Sequence, residues 1–364
     1  MEFCKDLFKA YDGVTRYAGV HTNQLTGRLH YNENLYGPSP KCMETLSELT
    51  PEDIYMYEAS EHDDLVAAIS KLINIPEKNI FLHNGSSELI KAIFSIVIQR
   101  GDPILLPKPC WSYYTSLAEY KFCDVHEYDI LENSDKCAHD VEGLIAAAEK
   151  CNPKMILITT PAMPTGNKIS DEDLERIIKK FPDSLILVDE AYYGYAPYTL
   201  DAKRLIDTYD NVVFSRTFSK YYGLANLRIG YGFSSERLKS VLWLDLPLHA
   251  LSHVAKRMAV VALEDKPYYD MVTEKIMATR EKFIADLNQI PGVLAFKSDS
   301  NFVYIRCQGY DAEEVKRIVG EKGFLIRVFP SATNEKHLRI TVGTQETMDQ
   351  VMVVLKEAFA ACKL

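Results

Sequence analysis

Between residues 79 and 232, short runs of aliphatic and β-branched residues alternate with stretches whose apolar positions recur at helical spacing, a pattern that predicts βαβ units around a mostly parallel sheet. The runs span 79–82, 103–106, 154–159, 184–188, 211–215 and 228–233. Two of them, Met155-Ile156-Leu157-Ile158 and Leu185-Ile186-Leu187-Val188, are apolar throughout, as strands covered by helices on both faces must be. Amphipathic helices are expected over 87–99 and 170–180. The second opens on Ser170 as a cap and carries Asp171, Glu172 and Asp173 in its first turn, where acids meet the positive end of the helix dipole. A long charged helix over 266–289 stops at Pro291-Gly292. After it, a strand (301–306), a helix (311–321), two strands (324–328 and 337–342) and a closing helix (344–360) make a smaller α+β unit. The expected organisation is an N-terminal arm over 1–35 that packs on the small unit, a large α/β domain over 36–265, and a small α+β domain over 266–364. Neither an internal repeat nor a low-complexity tract interrupts it.

Composition narrows the function classes. The 364 residues leave room for two compact units, and 47% hydrophobic with 25% charged residues excludes fibrous or disordered chains. A net charge of -10 disfavours attraction to nucleic acid or to an anionic membrane. No window reaches the length and apolarity of a membrane span, and the opening Met1-Glu2-Phe3-Cys4-Lys5-Asp6 lacks the apolar core of a secretion signal. The eight cysteines are dispersed, with no pair two residues apart, which fits reduced thiols in a cytoplasmic protein better than a disulfide framework or a zinc site. No metal site is expected.

A dinucleotide site is the first candidate for such a sheet, but its glycine fingerprint is missing, because Gly230-Tyr231-Gly232 lies inside a strand and opens no helix. Two other segments carry more. In Val188-Asp189-Glu190-Ala191-Tyr192 an apolar strand ends in an acid, which either caps the next turn or meets a ligand at the carboxyl edge of the sheet. In Ser215-Arg216-Thr217-Phe218-Ser219-Lys220, followed by Arg228, hydroxyls and a lysine gather past another strand end. Together they supply what a pyridoxal 5'-phosphate site requires: a lysine amine to join the cofactor, a carboxylate to hold its ring nitrogen protonated, and hydroxyls with an arginine for its phosphate.

Further motifs carry a resemblance over almost the whole chain. They are Tyr31-Asn32-Glu33-Asn34-Leu35-Tyr36-Gly37-Pro38-Ser39-Pro40, Asn84-Gly85-Ser86-Ser87-Glu88, Gly223-Leu224-Ala225-Asn226-Leu227-Arg228, Ser300-Asn301-Phe302 and Leu338-Arg339-Ile340-Thr341-Val342-Gly343. With the lysine segment they resemble the fold-type I aminotransferases, and among these the histidinol-phosphate aminotransferase family. The resemblance implies a large domain with a mostly parallel sheet plus a smaller α+β domain, pyridoxal phosphate as cofactor, and a homodimer with shared active sites. It implies Lys220 as the lysine that carries the cofactor and later shuttles the substrate proton, Asp189 at the ring nitrogen, and Tyr192 as donor to the phenolate oxygen. Ser86, Ser87, Thr217, Ser219 and Arg228 would hold the phosphate, Trp111 would cover the ring, and Tyr57 would reach the phosphate of the neighbouring subunit. Arg339, Arg327, Asn301 and Gly37 would face the substrate.

Three departures stand out. Met163 occupies the position of an asparagine that, in the family, donates to the phenolate oxygen, and a thioether cannot donate. The proline that follows the family's tyrosine is Glu58 here, and Pro247 to His253 replaces a proline-aromatic-asparagine stretch, which puts His249 or His253 near the substrate or in a plain interface. The expected activity is transfer of an amino group between an amino acid or primary amine, histidinol phosphate among them, and a 2-oxo acid such as 2-oxoglutarate. Alternatives are a decarboxylase of a phosphorylated amino acid, or a noncatalytic ligand-sensing module.

Overall fold

The computed structural model describes residues 26–57, 63–245, 250–333 and 335–362, with isolated positions 5, 9 and 13 before them. Short 3-10 turns aside, the chain runs β1 (Gly27–Arg28), α1 (Pro40–Glu44), α2 (Glu52–Tyr55), α3 (Asp64–Ile73), β2 (Ile80–His83), α4 (Gly85–Val97), β3 (Pro103–Lys108), α5 (Ser112–Tyr120), β4 (Asp124–Glu132), β5 (Cys137–His139), α6 (Val141–Cys151), β6 (Met155–Thr159), α7 (Asp171–Lys180), β7 (Leu185–Asp189), α8 (Ala202–Thr208), β8 (Val212–Thr217), β9 (Gly230–Ser234), α9 (Glu236–Leu242), α10 (His253–Glu264) and α11 (Lys266–Leu287). Then come β10 (Val293–Ala295), β11 (Phe302–Cys307), α12 (Ala312–Glu321), β12 (Phe324–Leu325), β13 (Arg327–Pro330), β14 (Lys336–Thr341) and α13 (Gln345–Ala361).

An eight-stranded sheet in the order β2-β9-β8-β7-β6-β3-β4-β5 forms the large α/β layer. Its centre, from β8 through β7, β6 and β3 to β4, is parallel, while β9, the β2–β9 pair and β5 add antiparallel pairings at the two edges. Every residue of β6, β7 and β8 is buried. Successive side chains alternate between faces, so Ile156, Ile158, Ile186 and Val188 enter one core and Met155, Leu157, Leu185 and Leu187 the other. The unbroken apolar runs in the sequence are therefore two interleaved faces, each covered by helices. In α7, Ser170 accepts from the Asp173 amide, as the sequence pattern predicts.

A second, antiparallel sheet in the order β10-β11-β14-β13 is covered by α11, α12 and α13. The single strand expected over 324–328 is two. Phe324 and Leu325 pair in parallel with β1, whereas Arg327–Pro330 pairs with β14, so the chain changes partners at Ile326. The segment after β1 threads between the sheets: the Thr341 amide donates to Leu29 O, and Asn34 donates to Tyr221 O. The sheets also touch where Glu132 of β4 meets His337 of β14 at 2.9 Å. Among the described residues no helix is long and apolar enough to cross a membrane.

Candidate active site

Parallel strands of an open sheet all end on one edge, where the chain leaves the ladder and polar side chains become available. Here the ends of β7 and β8, the loop after β6 and the N-terminus of α4 surround a cavity of about 410 Å³. Ser86, Ser87, Trp111, Asp189, Tyr192, Thr217, Ser219, Lys220, Arg228, Arg327 and Arg339 all line it, and so does Met163. A second hollow of about 420 Å³ shares Tyr192 with it but includes neither Lys220, Asp189, the serines and threonine nor the arginines just named.

One end of the cavity is built for an anion. Helix α4 begins at Gly85 (φ +81°), and its cap, Asn84, makes no side-chain bond to the first turn, which leaves the N-terminal amides of Ser86 and Ser87 for a ligand. Arg228, itself left-handed at φ 54°, reaches over this terminus and donates to Ser219 Oγ and Ser87 Oγ, both at 3.3 Å. Thr217 Oγ1 donates to Ser219 Oγ at 2.9 Å. The approach is close enough that a Cβ on Gly85 would stand 2.4 Å from Arg228 Nη2, and one on Gly230 would stand 2.4 Å from the Gly85 backbone. Gly230 is required by that backbone approach, and Gly85 by its left-handed φ.

The other end holds the acid and the amine. Asp189, the last residue of β7, is buried, accepts from the Ala191 amide at 3.0 Å and from the Tyr114 hydroxyl at 2.5 Å. Burial pushes its carboxyl up to about 6, against the opposing pull of the Tyr114 bond. Lys220 Nζ donates to Tyr31 O at 2.6 Å. Burial first, and then the Arg339 charge, lowers its ammonium to about 8. Tyr192 packs edge-on against Phe302 and receives a hydrogen bond from Asn32 at 2.8 Å.

Also in the lining, Arg327 and the buried Arg339 are register partners on β13 and β14. Arg339 donates to Met163 Sδ at 3.3 Å and to His30 O. Among the described residues no carboxylate lies within ion-pair distance of Arg327, since the nearby Glu33 pairs with Arg28 at 2.8 Å.

Three of the expected residues stand outside the cavity lining. Asn301 is fully buried and donates to Asn32 O at 3.1 Å, which braces the segment that carries the site. Gly37 (φ +78°) packs under the lysine loop, where a Cβ on Gly223 would strike its carbonyl carbon at 2.7 Å. Tyr57 is 80% exposed and lies away from the cavity of its own chain. His253 pairs with Asp53 at 3.1 Å rather than lining the site, and His249 lies outside the described residues. Sequence reasoning missed Asn32, Tyr114 and His30. Tyr114 stands three residues after Trp111, one helical turn, which was a usable signal. His30 lines the cavity with its imidazole held neutral, near 4, by burial and then by Arg28, Arg339 and Arg327.

Comparison with known proteins agrees with this geometry. Residues 28–355 match the family described as Aminotransferase class I and II. This chain belongs to that family. It is 30% identical over 338 residues to a histidinol-phosphate aminotransferase of Ruminiclostridium cellulolyticum, covering 92% of each. It superimposes with a TM-score of 0.84, at 26% identity and over 95% of this chain and 96% of the other, on the histidinol-phosphate aminotransferase of Sinorhizobium meliloti in complex with pyridoxal-5'-phosphate. L-threonine-O-3-phosphate decarboxylase of Porphyromonas gingivalis shares the fold at a TM-score of 0.78 and 21% identity, over 91% and 98% of the two chains. The protein is a pyridoxal-phosphate-dependent aminotransferase of fold type I. The residues present fit that cofactor: an anion cup at a helix N-terminus, a buried acid whose raised pKa calls for a cationic partner, and a lysine of lowered pKa share one cavity.

Capture of the cofactor by Lys220 would show itself in the pH dependence of uptake. Only the neutral amine attacks an aldehyde. With its pKa lowered to about 8, roughly a quarter of Lys220 is neutral at pH 7.5, against about a thousandth for an ordinary lysine. Stopped-flow uptake of pyridoxal phosphate by the cofactor-free protein should accelerate about tenfold per pH unit up to about 8 and then level off. Acceleration continuing to pH 10 would mean that the amine is not the buried one.

Proposed function

We propose that Lys220 carries the cofactor covalently, that Asp189 faces its ring nitrogen, and that Tyr192 donates to its phenolate oxygen. Trp111 would cover the ring, while Ser86, Ser87, Thr217, Ser219 and Arg228 would hold the phosphate. What supports this reading is the meeting of the anion cup, the buried acid and the lysine around one cavity. When bound, the cofactor supplies an electron sink that acidifies the substrate's α-carbon. The chain's own work is then electrostatic and positional. A carboxylate at Asp189 keeps the ring nitrogen charged. Lys220 Nζ, displaced by the amino substrate, accepts the α-proton and hands it on as general base and acid. The Arg339 guanidinium would fix the substrate carboxylate, and its donation to Met163 Sδ, a weak acceptor, is one that a carboxylate displaces readily.

The substrates proposed are an amino acid or primary amine that carries an anionic group, histidinol phosphate foremost, and a 2-oxo acid such as 2-oxoglutarate. Arg327 carries this part, because it reaches the cavity beside Arg339 with no carboxylate of the described chain to neutralise it. A donor panel with purified holoenzyme and 2-oxoglutarate tests it. Arg327→Ala should raise KM for a phosphate-bearing donor by about 10- to 100-fold while changing it little for an uncharged donor. Arg339→Ala should raise KM for the 2-oxo acid by a similar factor and leave cofactor binding unchanged. Equal losses across all donors after Arg327→Ala would remove this residue from substrate recognition.

A homodimer with shared sites belongs to the same proposal. Ile54, Tyr55, Met56 and Tyr57 form an exposed apolar run at the end of α2, with Tyr57 at 80% exposure, a surface suited to burial against a second copy. In that arrangement Tyr57 would reach the partner's phosphate. The domain division at 35/36 and 265/266 and a cytoplasmic location complete the reading.

A further inference from the structure

Asn32 is the least expected member of the site. It is fully buried, its backbone is left-handed at φ 56°, and it lies in the segment between the two sheets. Few residues other than glycine tolerate that backbone; asparagine and aspartate do so best. Asparagine alone of these has a side chain that both accepts and donates as a neutral group.

Its hydrogen bonds close a small circuit with Thr341 at the end of β14. The Asn32 amide N–H donates to Thr341 Oγ1 at 3.0 Å, and Thr341 Oγ1 donates to Asn32 Oδ1 at 3.0 Å. Asn32 Nδ2 then donates to the Tyr192 hydroxyl at 2.8 Å. The direction follows from proton counting. A backbone N–H can only donate, so Thr341 Oγ1 must accept there and has one proton left to give. Thr341 is fully buried. With the amide of Asn32 reversed, that proton would face an NH2 group and stay unsatisfied, at the cost of a buried donor without an acceptor. Asn32 therefore presents Oδ1 to Thr341 and Nδ2 to Tyr192. The tyrosine oxygen receives a proton on this side, so its own proton points away from Asn32, and Tyr192 lines the cavity.

The identity of Met163 gives this geometry its importance. Met163 lines the same cavity with a thioether that cannot donate, so it would leave the donation to the phenolate oxygen to Tyr192. We propose that Asn32, held by Thr341, is a positioning residue that turns the Tyr192 hydroxyl proton toward the cofactor's phenolate oxygen, an inference that rests on Tyr192 facing that oxygen. Thr341 and Asn32 are tied to the small sheet, through Asn301 Nδ2 on Asn32 O and the Thr341 amide on Leu29 O, whereas Tyr192 follows β7 of the large one. The small sheet thus sets the donor at the cofactor ring.

The test is the pH midpoint of the visible absorbance change of resting holoenzyme, with no substrate present. A donor at the phenolate oxygen favours the form in which that oxygen carries most charge and so lowers the midpoint. Tyr192→Phe should raise it by about half to one and a half pH units, the worth of one hydrogen bond. Asn32→Asp keeps the shape and the backbone preference but offers Tyr192 an acceptor in place of a donor, which captures the hydroxyl proton. It should raise the midpoint about as far as Tyr192→Phe, and Asn32→Gly should raise it part of the way. Thr341→Ser keeps the hydroxyl and should leave it unchanged. The other titratable and charged groups near Tyr192, namely Lys220, Asp189, Tyr114, Tyr195 and Arg339, are retained in every variant. Melting curves of the cofactor-free variants identify any that fail to fold. If Tyr192→Phe shifts the midpoint while Asn32→Asp and Asn32→Gly leave it where it was, the relay is wrong and the role of Tyr192 stands. If Tyr192→Phe itself has no effect, both are wrong.

Discussion

Lys220→Ala should yield a folded protein from which sodium borohydride fixes no cofactor and whose turnover has fallen by at least about 10⁴-fold. The size of the loss follows from the two roles proposed for one atom: Nζ would be both the point of covalent attachment and the group that accepts the α-proton, and each is worth orders of magnitude. Folding survives because, among the described residues, the amine makes a single hydrogen bond, to Tyr31 O. Its charge is also disfavoured where it sits, with the pKa lowered from 10.5 to about 8 by burial and by Arg339. Intact-mass spectrometry after borohydride treatment is the check. Retention of the cofactor mass in the variant would place the attachment on another lysine.

Asp189→Asn should have opposite effects on stability and on catalysis. In the cofactor-free protein the carboxyl is raised from 3.8 to about 6 by burial, despite the bonds from Tyr114 and Ala191. A group whose folded-state pKa is raised contributes its stability below the unfolded value and loses it as pH rises through the folded one. The window is therefore about pH 4 to 6, and at pH 7.5 the buried charge costs on the order of 3 kcal/mol. Asparagine keeps an oxygen for the Ala191 amide, offers its NH2 to the Tyr114 oxygen, and carries no charge. The cofactor-free variant should melt several degrees higher than the parent at pH 7.5, with the difference closing toward pH 4. With Asp189 at the ring nitrogen, as proposed, the loaded variant should turn over about 10³-fold more slowly or worse, because a neutral amide cannot hold a proton there. Calorimetry at two pH values and steady-state rates read the two halves independently. A variant less stable than its parent at pH 7.5 would mean that Asp189 is already paired with a cation in the empty site.

Much of this was legible in the chain because burial on both faces leaves a plain sequence signature. The runs at 155–158 and 185–188 are apolar throughout, and so the central strands and the acid that ends one of them stood out. β4 did not stand out. Its residues Asp124–Glu132 alternate between exposed acids and buried Tyr128 and Ile130, a half-solvated strand near the edge whose charges hide its period. β1 and β10, of two and three residues, are too short to show any period. The division of 324–328 into two strands depends on partners far away in sequence, β1 and β14, which no local pattern records. The same limit applies to the site. Most residues of the cavity lining fall in motifs and could be named, whereas the hydrogen bonds that orient them, Tyr114 to Asp189 and Asn32 to Tyr192, span 75 and 160 residues. Only a folded chain brings such pairs together.

The most direct test mixes holoenzyme with histidinol phosphate in a single turnover, without 2-oxo acid. The account predicts conversion of the cofactor to its amino form, one equivalent of carbonyl product, and restoration of the original spectrum on addition of 2-oxoglutarate. A spectrum unchanged by histidinol phosphate and by every other anionic amine tried, or carbon dioxide released from a phosphorylated amino acid with the cofactor still in its aldehyde form, would contradict it.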